Sequence, residues 1–479
     1  MTHDAVVVGA GPNGLAAAIE LQRNGVSVLL LEANETVGGA SRTEEVTLTG
    51  FRHDIGSAIH PLGFASPFFS SLPLEDHGLE WVHPDAPLAH PLDDRPAVLL
   101  QSDLSDTAEA LGTDSGAYRR FLSPFVEAWP TFLEHALDRP TRIPRAPLLM
   151  ARFARAALDS SIGIARSFGT EEAKALLAGN AAHGAVPLER RLGGAVALTL
   201  MAAGHVGGWP FPKGGAGRLT EALASYFRSI GGAIETDTPI RSMTDIPDAR
   251  VTLLALTDGQ IGRILADRLG ERHRGNLIGW TYGLGAFKVD WALSDPIPWT
   301  DPSVSRAATV HVGGTFEEIR SAEWAAASNE IPDRPFLLLA QHTLFDPTRA
   351  PEGGHTVWAY CHAPHRAQGE EAERAVVATM EAQIERFAPG FRDLVIGRAV
   401  HTPYQLEAWD ENLRGGDPNG GALALGNVFG PGRLSRNPWR LPLPGFYACS
   451  ASRPPGGGVH GMVGYHAARG ALREHFGVR

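Results

Sequence analysis

Residues Asp4 to Glu32 constrain the fold more than any other stretch. Ala5-Val6-Val7-Val8 is an apolar, β-branched run with the length of one buried strand. It breaks into Gly9-Ala10-Gly11-Pro12-Asn13-Gly14. The spacing of Leu15, Ala18, Ile19 and Leu21 then predicts an amphipathic helix closed by Gly25. Val26 to Leu31 reads as a second strand that ends in Glu32. In such a unit Gly9, Gly11 and Gly14 serve a tight turn, close backbone approach to a diphosphate, and tight helix–strand packing. The helix start adds unpaired N–H groups and the positive end of a dipole. Glu32, eighteen positions after Gly14, can accept both hydroxyls of an adenosine ribose and would repel a 2′-phosphate. A dinucleotide other than NADP is expected.

The next loop chooses between NAD and FAD. It runs Ala33-Asn34-Glu35-Thr36-Val37-Gly38-Gly39-Ala40-Ser41-Arg42-Thr43. A glycine doublet directly after the second strand lets backbone lie flat against a cofactor that continues past the diphosphate. Arg42 can neutralise phosphate charge as a fork donor. NAD enzymes have no common need for this loop. Phe51 to Ser57 reads as a further strand running into a close-approach glycine, Gly56.

These residues carry a family resemblance. Gly9-x-Gly11-x-x-Gly14, Glu32, Gly38-Gly39-x-x-Arg42 and Asp54-x-Gly56 resemble the FAD-binding signature of the phytoene desaturase-like flavoproteins and, more distantly, of the flavin amine oxidases. Phe446 to Ser452 followed by Gly456-Gly457-Gly458-Val459-His460-Gly461-Met462 resembles the closing motif of the first group. Pro212-Lys213-Gly214-Gly215-Ala216-Gly217-Arg218-Leu219 resembles its loop before the second FAD-domain helix. The resemblance implies an α/β protein: a Rossmann-like FAD-binding domain, discontinuous in sequence, plus a mixed α+β substrate domain with a helical lid. The expected division assigns 1–60, 205–280 and 441–479 to the FAD domain, and 61–204 and 281–440 to the substrate domain. It further implies non-covalent FAD touched by the glycines above, Glu32, Ser41, Arg42, Gly56, Ser57, Ser450, Gly458, Gly461 and Met462, with Ile240 against the adenine. The family often has glycine at Ser450 and Thr-His at Arg453-Pro454. A guanidinium at Arg453 beside the flavin edge would favour a polar or anionic substrate.

Composition narrows the partners. With 479 residues, two domains are expected; 43% hydrophobic and 20% charged residues are those of a globular protein. The formal net charge of −11 argues against nucleic acid. Two cysteines, Cys361 and Cys449, frame no disulfide scaffold, and the nineteen histidines show no ligand spacing, so no metal site is expected. The first strand begins within five residues of Met1, leaving no room for a leader, and a cytoplasmic protein is expected.

Between the FAD segments, strands are expected at Leu79–Val82, Leu88–Pro91 and Ala97–Leu100. Helices are expected at Asp103–Leu111, Tyr118–Leu137, Leu148–Ala165, Glu171–Ala178 and Gly193–Ala203. Pro239–Met243 and Val251–Leu256 read as strands, as do Tyr282–Leu293, Ala307–Val312, Phe336–Gln341 and His355–Cys361. Ala372–Phe387 reads as a long helix, and 415–432 as loop. From Arg139 to Arg166 six arginines interleave with Ile143, Leu148, Leu149, Met150, Phe153, Leu158 and Ile162. Two readings stand: a basic helix on an anionic membrane, or a lid helix with solvated arginines.

Three residues are candidates for chemistry. Lys288, in Gly285-Ala286-Phe287-Lys288-Val289-Asp290-Trp291, resembles the amine oxidase lysine that holds a water at flavin N5; the alternative is a surface pair with Asp290. His60 and His460 are candidate general bases, with a structural histidine as the other reading of each. The resulting expectation is a FAD-dependent dehydrogenase or desaturase acting on a hydrophobic small molecule. An amine oxidase-like flavoprotein using oxygen, a redox-neutral flavin isomerase or saturase, and a non-enzymatic flavin-stabilised protein are the alternatives.

Overall fold

The computed structural model describes residues 3–364, 369–430 and 432–478. Five parallel strands form the first sheet, in the spatial order Phe446–Ala448, Val251–Leu254, Ala5–Val8, Val28–Leu31, Ala233–Glu235. Strand alternation divides its apolar residues between two cores. Ala5, Val7, Val28, Leu30 and Leu253 face the helices Pro12–Arg23, Gly217–Ser229 and Met462–Ala471. Val6, Val8, Leu29, Leu31 and Leu254 face Ile261, Leu265, Leu269, Leu441 and Leu443. A parallel sheet covered on both sides needs such continuous apolar strands. Strand order reverses between Ala5–Val8 and Val251–Leu254, and ligands of open α/β sheets bind at that reversal, beyond the strands' carboxyl ends.

The second sheet has seven strands, ordered Val395–His401, Gly285–Leu293, His355–Ala363, Leu337–Ala340, Ala307–Val312, Ala86–Leu92, Arg95–Leu100. All its pairings are antiparallel except Ala307–Val312 with Ala86–Leu92. One face is apolar: Phe287, Val289, Trp291, Val310, Leu337, Leu339, Val357 and Cys361 pack on Val376, Met380 and Ile384 of the helix Glu370–Phe387. The opposite face carries Ala286, Lys288 and Asp290, then Trp358, Tyr360 and His362, then His311 and His90, because alternation sends every second side chain that way.

Several elements depart from expectation. Tyr118–Leu137 is two helices, Ser115–Glu127 and Trp129–Ala136, divided at Ala128 just ahead of Pro130. Leu148–Ala165 is likewise two, Pro147–Leu158 and Ser161–Ala165, the second capped by Ser160 Oγ on the Gly163 N–H. Pro239–Met243 is not a strand; Ser242 instead starts a short 3-10 turn, Met243–Asp245, in a reciprocal cap with Asp245. The 415–432 stretch includes a helical turn, Leu425–Phe429.

Candidate flavin site

The loops beyond the first sheet bring Gly9–Gly14, Glu32 and Gly38–Arg42 together at the strand-order reversal. The Gly9 N–H donates to Leu31 O at 2.7 Å, and Gly38 N–H to Ala10 O at 3.0 Å. Glu32 is buried; its Oε2 accepts from the Ala10 N–H at 2.7 Å and its Oε1 from Asn34 N–H and Nδ2. Oε2 keeps a lone pair for a further donor.

The glycines differ in what forbids a side chain. A Cβ on Gly14 would lie 1.8 Å from Gly9 O, and one on Gly56 2.1 Å from Ala40 O. At Gly461 it would meet Phe69 at 2.5 Å, at Gly38 Arg42 at 2.7 Å, and at Gly39 the Gly11 Cα at 3.0 Å. Gly9 (3.2 Å from Ala255 O) and Gly458 (3.3 Å from His460) are tight as well, and both have positive φ. Gly11 has ordinary helix-cap dihedrals, φ −73° and ψ 176°, and the nearest protein atom to its absent Cβ is Gly39 Cα at 3.6 Å. The protein has room for a methyl group at Gly11 alone in this set. A diphosphate lying on the backbone there would use that room, so the cradle fits a dinucleotide. Gly56 is the reverse case: expected as a glycine for cofactor approach, it is required by Ala40.

A buried polar network fixes the second loop. Asp54 Oδ1 accepts from Thr43 Oγ1 (2.7 Å) and the Ala216 N–H (2.8 Å), while Oδ2 accepts from Arg349 Nη1 (2.8 Å). Burial would raise the Asp54 carboxyl; Arg349, His342 and these bonds outweigh it and hold it below the usual range. Arg349 is itself fully buried and lies 3.4 Å from Asp346, whose Oδ2 accepts the Gly214 N–H. Thr43 fills the space at Gly215, where a Cβ would be 2.2 Å from its Oγ1. Arg42 lies over the Trp409 ring at 4.0 Å and donates to Gly39 O and Trp409 O. Asp410, beside Gly39, is pushed above the ordinary carboxyl range by burial and by Glu32 and Glu411. Neither Arg349 nor Asp410 carries a local sequence signal. Ile240 is half-buried against the outer apolar core of the first sheet and is not in a strand.

The candidate histidines separate. His60 Nε2 is 3.0 Å from Ser57 Oγ, which is 2.9 Å from Ser41 Oγ. Burial lowers its pKa to about 4, so at neutral pH it is an uncharged imidazole. His460 Nδ1 accepts the Met462 N–H at 3.1 Å and so caps the helix Met462–Ala471. That lone pair is committed, which leaves an N–H at Nε2 and makes His460 a cap and not a base. Ser450 lies just past the strand Phe446–Ala448 and its Oγ accepts the Ser452 N–H at 3.4 Å. Arg453 does not face a substrate: it is buried with Arg433 against Asp258, Nε to Oδ1 3.1 Å, and donates to Pro438 O.

Lys288 pairs with Asp290, but the pair is buried, 2% and 0% exposed, which corrects the surface-pair reading. His53 Nδ1 lies 3.4 Å from Asp290, and His401 Nδ1 3.9 Å. Burial lowers the Lys288 ammonium pKa against the pull of Asp290. Further along the same face, both carboxylate oxygens of the buried Glu323 lie within 2.9 Å of His362 Nδ1, and His362 Nε2 has no partner among the described residues. His183 Nε2 meets His311 Nε2 at 2.9 Å; burial holds His183 at about 3 and His90 at about 4. Phe336, Trp209, Trp358 and Tyr360 stand around these imidazoles. The spacing of these residues along the chain gave no hint that they meet.

The comparisons agree with this geometry. The family described as an NAD(P)-binding Rossmann-like domain matches residues 7–70. The chain is 26% identical to the rat pyridine nucleotide-disulfide oxidoreductase domain-containing protein 2, over 98% of this chain and 94% of that protein. It is 24% identical to the 4,4'-diapophytoene desaturase (4,4'-diaponeurosporene-forming) of Staphylococcus haemolyticus, over 95% of each. Among solved structures, the cyclohexylamine oxidase of Brevibacterium oxydans superposes with a TM-score of 0.62 at 17% identity, covering 99% of each chain. The molecule is therefore an α/β protein with a Rossmann-like domain and the overall fold of that amine oxidase. More narrowly, the full-length likenesses are to proteins named as an oxidoreductase domain-containing protein, a desaturase and an amine oxidase.

Proposed function

We propose that the chain binds one FAD non-covalently and dehydrogenates a hydrophobic small molecule. A flavin bound there supplies the hydride acceptor. The observation that carries the reading is Gly11, where the protein leaves room for a methyl group on the backbone that opens the helix at the strand-order reversal, room that a diphosphate would use. Glu32 Oε2 would accept a ribose hydroxyl, and the Pro12–Arg23 helix would present its amino end to the diphosphate. Non-covalent attachment is favoured because both thiols are buried and held in the protonated form: burial pushes Cys361 up to about 12 and raises Cys449 too.

The substrate class follows from the polar face of the seven-stranded sheet. Burial holds the imidazoles of His90, His183 and His311 below their ordinary range, their neighbours are aromatic, and the one lysine is paired with Asp290. Such a wall recognises an apolar body with few polar groups. His362, with Nδ1–H donated to Glu323, presents Nε2 as a proton acceptor for a substrate O–H or N–H; carbon–carbon desaturation would leave it idle. The oxygen-using alternative rests on Lys288, and the Asp290 partner weakens it. Anaerobic addition of candidate alcohols, amines and polyenes to the yellow protein tests the reading: one class should bleach the flavin absorbance. Colour retained by the acid-precipitated protein would refute non-covalent binding, and an enzyme that no class bleaches would remove the dehydrogenase reading.

A further inference from the structure

The two most exposed large apolar side chains of the described residues, Ile143 at 87% and Leu148 at 81%, stand on one edge of the molecule. Leu148 belongs to the helix Pro147–Leu158, which packs through Ala156 against Gly194 of the helix Gly193–Gly207 and through Phe153 on Phe132, with Leu149 buried in the same core. Its outer side carries Leu148, Arg152, Arg155 and the half-exposed Leu158. A second segment joins this edge: Thr141 Oγ1 donates to Ser435 O at 3.3 Å and Arg139 Nη1 to Arg436 O at 2.6 Å, which sets the exposed Leu434 beside it.

The charges sort by role. Arg142 is absorbed by Glu134 and Asp138, and Arg139 by a backbone carbonyl. The side chains of Arg152 and Arg155 have no ion-pair or hydrogen-bond partner among the described residues. This positive, apolar edge belongs to a chain of net charge −11, so it is a local reversal of sign.

We propose that the edge formed by Ile143, the helix Pro147–Leu158 and Leu434 docks on an anionic lipid surface, with the aliphatic side chains inserted and Arg152 and Arg155 at the headgroups. No helix of the described residues is long and apolar enough to cross a membrane, so the contact is peripheral. A lipid surface suits the edge better than an acidic protein. Its protruding side chains are aliphatic and stand on a convex helix, whereas protein interfaces are anchored by aromatic residues in pockets. The docking helix packs on Gly193–Gly207, which in turn packs on the turn Pro61–Phe64 next to His60. An apolar substrate dissolved in the bilayer would thus be held near the proposed site.

Vesicle co-sedimentation of the full chain tests this. Wild-type protein should pellet with phosphatidylcholine vesicles containing phosphatidylglycerol and stay in solution with phosphatidylcholine alone, and added salt should release it. The pairs Ile143→Ser with Leu148→Ser and Arg152→Gln with Arg155→Gln should each weaken binding by about tenfold or more, with melting temperature and flavin absorbance unchanged. A control pair on another exposed helix, Arg272→Gln with Arg274→Gln, should bind as wild type. Failure of the wild type to pellet with anionic vesicles overturns the proposal. So does equal binding by both variant pairs, an equal loss in the control, or capture by polyglutamate without capture by vesicles.

Discussion

The five-stranded sheet is apolar on both faces and offers its chemistry only in the loops beyond its strands, whereas the seven-stranded sheet sets Phe287, Val289 and Trp291 on one face and Lys288, Asp290 and their histidine neighbours on the other. In the first sheet the contacts that matter are made by backbone, so glycines in one contiguous stretch specify them. In the second they are made by side chains from separate strands and from the helix Phe316–Ala327, so no short stretch contains them. The two sets of contacts are therefore recorded differently: the first as a motif, the second as a register.

Glycine substitutions test the first half of that contrast and give the largest effect. Gly14→Ala drives a methyl into Gly9 O and should cost at least about 4 kcal/mol, read as loss of soluble folded protein. Gly11→Ala meets nothing closer than 3.6 Å and should melt within a few degrees of wild type, yet purify without flavin. Equal destabilisation by both would mean that Gly11 too is required by the protein alone.

The junction between the halves should be nearly as sensitive. Arg349→Met leaves Asp54 and Asp346 buried beside an apolar stem and should cost about 3–5 kcal/mol at neutral pH. The sign with pH is defined. The depressed Asp54 carboxyl contributes stability that is complete above its unfolded-state value and lost as pH falls through its folded-state value. In the variant burial raises that carboxyl, so the deficit should shrink as the pH of a urea melt is lowered toward about 4. A deficit that grows on acidification would contradict the assignment.

Within the second sheet, Lys288→Met alone strands the buried Asp290 and should cost about 3 kcal/mol. Adding Asp290→Leu should recover most of that loss, a coupling that a surface pair would not show. Additive losses would mean that the ammonium and carboxylate do not act as a pair.

The smallest expected effect is at Asp410. An anionic diphosphate at Gly11 and Gly39 would favour the protonated carboxyl, so flavin affinity should fall as pH rises through its elevated pKa, by up to about tenfold. Asp410→Asn should remove that slope. Flavin titrations of the apoprotein across the acid range measure it; an unchanged slope would place Asp410 away from the phosphates.

Much of the dinucleotide half was legible beforehand because its determinants are local. Apolar runs of four, glycines at fixed offsets and an acid at the next strand's end specify the turn, the helix start and Glu32 wherever the chain folds. Legibility failed where local signals competed. Pro239–Met243 is apolar enough for a strand, but Ser242 and Asp245 satisfy the backbone in a turn instead. Tyr118–Leu137 has continuous helical spacing, yet it breaks at Ala128 ahead of Pro130.

By itself the sequence determined the βαβ unit, the glycine positions and the alternation that gives each strand of the second sheet one polar face. Only the tertiary structure decided which polar residues meet. Asp54 finds Arg349, 295 positions away, and His362 finds Glu323 across 39. Lys288 and Asp290 are two apart in the chain, and their spacing is the same for a surface pair as for a buried one. What makes the pair buried is its position: the strand Gly285–Leu293 lies between Val395–His401 and His355–Ala363, with His53 set against its polar face. The energy of a charge depends on the medium around it, and that medium is made of residues distant in the chain.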